Sequence, residues 1–95
     1  MTATFNQVAM KIIREQELVI GPLAWSEAKK VRGLTIDMSS GNVAVAEDDS
    51  KGTIDRLVAK YERLFGRASE EVCREAVANM LADFAPADIP MSLRA

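Results

Sequence analysis

Between residues 34 and 46 the apolar pattern changes period, and this switch restricts the fold more than any other feature of the chain. Leu34-Thr35-Ile36-Asp37-Met38 alternates apolar and polar residues, as a half-buried strand does. Ser39-Ser40-Gly41-Asn42 has turn chemistry, and Val43-Ala44-Val45-Ala46-Glu47 reads as the return strand. A four-residue loop pairs Met38 with Val43 and Ile36 with Val45, which puts the apolar side chains on consistent faces. A lone hairpin is marginal in water, so this one has to pack on helices or pair with strands of another chain.

The flanking segments have helical periods. Thr4, with Gln7 three residues on, fits a capping box at the start of a first helix. Phe5, Val8, Ala9, Ile12, Val19 and Ile20 recur on one face. Gln16 interrupts that face, and Ile13 and Leu18 widen it. So broad an apolar surface is expected to reach more than one element, or a second subunit. Gly21-Pro22 ends the helix, and Pro22 also suits the first position of a short second helix. There Leu23, Ala24, Ala28 and Val31 are apolar, Trp25 sits at the edge and Gly33 closes the segment.

After the hairpin, Glu47-Asp48-Asp49-Ser50 is a polar connection into a third helix, with Ser50 or Thr53 as its cap. Ile54, Leu57, Val58, Tyr61, Leu64 and Phe65 form its stripe, and Gly66 stops it. Ser69 caps a fourth helix with Val72, Cys73, Ala76, Val77, Met80, Leu81 and Phe84 on one side. Pro86 and Pro90 end regular structure and leave residues 86–95 as a tail with freedom to be flexible. The predicted fold class is α+β: four helices and one antiparallel β-hairpin in the order α-α-β-β-α-α, as a single compact domain over residues 1–95.

Composition narrows the function. A chain 48% hydrophobic and 27% charged is ordinary for a globular protein, and its net charge of −2 speaks against a general polyanion binder. No apolar run approaches the ~20 residues that span a bilayer, so no membrane role is expected. The start, MTATFNQVAMKII, lacks the basic beginning and long apolar centre of a signal peptide. Cytoplasmic localisation is therefore expected, and a single cysteine fits a reducing compartment. The absence of histidine removes the commonest general base and, with one cysteine, the usual zinc sites. No catalytic residues, metal or cofactor are expected.

Two basic groups remain. Lys29, Lys30 and Arg32 follow a helix–turn–helix-like segment, where they could meet phosphates. Against this, the apolar Ala24 and Trp25 occupy positions where a recognition helix presents polar groups. Arg56, Lys60, Arg63 and Arg67 follow i, i+4, i+7, i+11 along one side of the third helix. Such a stripe is either a solvated face or a rim for an acidic partner. Asp37–Asp48 resembles a calcium loop only superficially, because Asn42 and Asp48 stand where glycine and glutamate are needed. Cys73 lies on an apolar stripe without a histidine partner, as a buried small hydrophobe would.

The expectation is a small non-catalytic adaptor or regulatory module acting through protein–protein contacts. A homodimer is one way for it to cover the wide apolar face. Trp25 would be its anchor, and Arg56, Lys60, Arg63 and Arg67 its charged rim. The alternative is a nucleic-acid-binding regulator using Lys29, Lys30 and Arg32 with the helix stripe.

Overall fold

The computed structural model describes residues 4–94, so residues 1–3 and Ala95, the ends of the predicted domain and tail, lie outside it. The fold is α+β in the predicted order. Helices α1 (Phe5–Ile20) and α2 (Leu23–Ala28) precede strands β1 (Leu34–Asp37) and β2 (Asn42–Val45). A 3-10 turn, Glu47–Asp49, then leads into α3 (Ser50–Phe65) and α4 (Arg67–Leu81). Two further 3-10 turns, Pro86–Asp88 and Met91–Leu93, finish the described chain.

The capping box closes as the sequence implies. Gln7 N–H donates to Thr4 Oγ1 at 3.2 Å, and Thr4 N–H to Gln7 Oε1 at 2.8 Å. Val8, Ala9, Ile12 and Ile13 of α1 are fully buried in the core. They meet Ile54, Leu57 and Tyr61 of α3, Cys73 and Val77 of α4, and Val43 and Val45 of β2 in one cluster. The expected face does not hold along the whole helix, because Leu18 is 80% and Val19 65% exposed. By spacing Val19 shares the face of Ile12, yet it and Leu18 are left largely uncovered while Ile20 of the same turn packs against the core.

Gln16 is not an interruption of the core but part of it. It is fully buried, and its Nε2 donates to Ser69 O at 3.0 Å and to Cys73 Sγ at 3.3 Å, joining α1 to α4. Its Oε1 has no hydrogen-bond partner among the described residues. A buried acceptor left unpaired forfeits its hydration without compensation. Gln16→Met keeps the length and removes the orphan oxygen. It is expected to leave stability within about 1 kcal/mol of the parent or raise it. Gln16→Ala opens a void and should cost about 2–4 kcal/mol, read from urea denaturation midpoints.

The hairpin differs from its predicted register by two residues. Ile36 pairs with Val43, Leu34 with Val45 and Asp37 with Asn42. The turn is therefore Met38–Gly41, and Asp37 organises it. Its carboxylate accepts from Ser39 N–H at 3.0 Å and Ser39 Oγ at 2.7 Å, while its carbonyl accepts from Gly41 N–H at 2.7 Å. Gly41 takes φ +75°, which glycine adopts without strain. A two-residue slip preserves the faces, so Leu34, Val43 and Val45 still enter the core. Met38 loses its strand partner and stands exposed.

Three boundaries also move. Asp49, not Ser50 or Thr53, precedes α3. Both hydroxyls are turned to donate, Ser50 Oγ to Ala46 O and Thr53 Oγ1 to Asp49 O. Gly66 at φ +86° ends α3 and directly precedes α4, so α4 begins at Arg67 rather than after Ser69. Residues 86–94, read as a tail free to move, lie against the body instead. Pro90 is fully buried and Leu93 nearly so, and Ser92 N–H and Oγ both donate to Asp55 Oδ1, at 3.0 and 2.6 Å. Among the described residues, no helix is long and apolar enough to cross a membrane.

Candidate protein-binding surface

The two basic groups are partly brought together and partly tied down. Helix α2 is only six residues long and ends at Ala28, so Lys29, Lys30 and Arg32 lie in the turn beyond it. They are not displayed along a second helix, as a helix–turn–helix reader requires. Lys30 Nζ meets Glu27 Oε2 at 2.7 Å, and Glu27 is only 7% exposed. That hydrogen bond, aided by the charges of Lys30 and Lys60, holds the Glu27 carboxyl below its ordinary range.

Arg56 acts as a clamp. Its Nε and Nη2 donate to Arg32 O at 3.1 and 2.9 Å, and Nη2 also reaches Asp49 Oδ2 at 2.8 Å. It thus fastens the entry to β1 onto the start of α3. Lys30, Arg32, Arg56 and Lys60 share one shallow depression of about 370 Å³. Arg63 remains exposed on α3, but Arg67 belongs to α4 and lines a separate depression with Glu70, Glu71 and Arg74. The four-cation stripe is therefore split between two helices. Trp25 is partly buried against the core, and its Nε1 donates to Glu17 Oε2 at 2.8 Å. It pins α2 to α1 within the chain.

A larger concavity than either of these depressions lies elsewhere. An open groove of about 700 Å³ runs between α1 and the hairpin. One wall is the solvent side of α1, from Asn6 through Met10 to Arg14. The other is the outward face of the hairpin, with Thr35, Asp37, Asn42 and Ala44. Met80 of α4 also lines it. Val43 lines the groove although its side chain belongs to the core, so what it presents is main chain.

The ladder explains why. Ala46 N–H bonds Gly33 O, and antiparallel bonding alternates, so the pairs 35–44 and 37–42 bond across the ladder. Val43 and Val45 then point their N–H and C=O groups away from β1, along the outer edge of β2. Val45 N–H already meets Asn6 Oδ1 at 2.8 Å. Val43 has no such partner among the described residues.

The groove's charges are few. Lys11 bridges to Glu15 at 3.0 Å, whereas Arg14 is exposed and without an ion-pair partner among the described residues. The hydrogen bonds from Ser39 and Ser40 hold the Asp37 carboxyl below its ordinary range, so it is ionised at neutral pH. Such a site offers apolar contact, strand-edge hydrogen bonds and, among the described residues, one cation without an ion-pair partner. Burial pushes the Cys73 thiol up to about 11, far from a reactive thiolate. No three histidine, cysteine or acidic side chains among the described residues come close enough to hold a metal ion.

Reasoning from periodicity missed the groove because most of its residues, Val43 and Met80 aside, occupy the polar sides of their elements. One signal was present: Ala44, small and apolar, on the solvent side of a strand. Compared with known protein families, curated proteins and solved structures, the chain matches none of them.

Proposed function

We propose that this chain is a small, non-catalytic adaptor or regulatory module of the cytoplasm that binds another protein in the groove between α1 and the hairpin. The observation that carries this reading is the groove itself. At about 700 Å³ it joins apolar Met10, Ala44 and Met80 to a strand edge left open at Val43, and its one carboxylate is an ionised side chain held in a turn. This arrangement suits recognition rather than bond-making. The proposed site thus moves from Trp25 and Arg56, which serve the fold, to a surface that the fold leaves open. Self-association belongs to the same proposal, and exposed Leu18 and Val19, beside Val72 and Ala76 of α4, are the surface for it.

Selection of a random peptide library on the full chain tests the reading. Wild-type protein is expected to enrich peptides that an Ala44→Arg variant, with a long cation laid across the groove, does not retain. Equal enrichment on both proteins contradicts it.

The nucleic-acid reading keeps one observation in its favour, the shared depression of Lys30, Arg32, Arg56 and Lys60. Two of these cations are already paired within the chain, which weakens it. It requires affinity that falls steeply with salt and is lost in a Lys60→Glu, Arg63→Glu variant.

A further inference from the structure

We infer that the groove receives one extended segment of the partner, added beside β2 as a third strand, with a carboxylate of that segment on Arg14. This rests on the protein-binding reading above and specifies its ligand. An extended segment is the one chain conformation that offers a row of N–H and C=O groups to a strand edge. The edge of β2 has such a gap at Val43, whose N–H and C=O face the groove.

The ends of the segment are set by α1. Asn6 occupies the Val45 N–H, so an added strand cannot take that donor without displacing it. From Asn6 to Arg14, α1 advances about 12 Å at ~1.5 Å per residue, the length of about four extended residues. With a period of two, alternate side chains of the segment meet Met10 and Met80, and those between them face solvent.

The charge of the segment follows from what is left unpaired. Arg14 is the cation of the groove without an ion-pair partner among the described residues, since Lys11 is bridged to Glu15. A carboxylate pairs with a guanidinium through two parallel hydrogen bonds. A polyanion would instead meet ionised Asp37 on the opposite wall. The ligand is therefore a short acidic–apolar peptide segment, not a nucleic-acid backbone.

The probe is a peptide from the library selection, titrated into the full chain while amide hydrogen exchange is followed. The Val43 amide is expected to become protected on binding, and the Val45 amide, already bonded to Asn6, to change little. Arg14→Glu, a change at an exposed helix position, is expected to weaken binding about tenfold by turning an attractive charge pair repulsive. Two results overturn the strand-addition inference while leaving protein binding in place: peptides that bind without protecting Val43, or affinity unchanged in Arg14→Glu. A library that enriches nothing on the wild-type chain overturns both.

Discussion

Tyr61→Ala is expected to cost about 3–5 kcal/mol, the range for removing a large aromatic ring from a packed core. Tyr61 is the largest fully buried side chain and sits where α3 meets α2. Its ring packs in the cluster with Ile12, Leu57 and Val77, and its hydroxyl donates to Ala24 O at 2.7 Å. Burial pushes the phenol well above its ordinary pKa, so the group remains a neutral donor. Small domains have only about 5–15 kcal/mol of stability, so this one change should bring much of the population close to unfolding. Tyr61→Phe separates the two contributions. It keeps the ring and loses one buried hydrogen bond, for an expected cost of about 1 kcal/mol. Urea denaturation followed by circular dichroism reads both. An alanine variant as stable as the phenylalanine variant would remove Tyr61 from the centre of the core.

Gly33→Ala should have the next largest effect, about 2–5 kcal/mol, from backbone strain together with overpacking. Gly33 adopts φ +92°, a region that side chains disfavour. A Cβ there would also press into Thr53 Oγ1, far inside van der Waals distance, and crowd Arg56. Thr53 cannot yield cheaply, because it is fully buried and its hydroxyl is bonded to Asp49 O. The damage would spread locally, since Gly33 O accepts from Ala46 N–H at the root of the hairpin and Arg56 grips Arg32 O beside it. Gly41→Ala is the comparison. Gly41 has φ +75° but open space around it, so only strain of about 1–2 kcal/mol is expected. Equal losses at the two positions would show that the contact with Thr53 contributes nothing.

Much of the fold was legible because its elements carry strong local signals. Thr4 and Gln7 mark the start of α1, Gly21 and Gly66 mark helix ends, and the alternation from Leu34 to Val45 marks the hairpin. The errors arose where hydrogen-bonding partners, local or distant in sequence, decide. Register was ambiguous by two residues because that slip leaves every apolar side chain on its face. The Asp37 turn settled it through hydrogen bonds that alternation does not encode. Gln16 looked like a flaw in an apolar face until Ser69 and Cys73, more than fifty residues on, supplied its partners. Residues 86–94 lack periodicity, and only Asp55 on α3 explains why Ser92 is held.

The candidate site was harder to read for the same reason. Spacing placed Arg56 and Arg67 on one stripe, but Gly66 ends α3 before Arg67, and Arg56 turns inward onto Arg32 and Asp49. Trp25 was conspicuous by type, yet Glu17 and the core engage it. The groove is assembled from α1, both strands and α4, and no single segment of sequence announces it. Its polar rim resembles any solvated surface until the chain folds.

The most direct measurement is an amide chemical-shift map of the full chain as a library-selected peptide is titrated in. Perturbations centred on Asn6, Met10, Val43, Ala44 and Met80 are the predicted result. Perturbations centred on Lys30, Arg32 and Lys60, or on Leu18 and Val19, with the groove unchanged, would contradict the groove as the binding site.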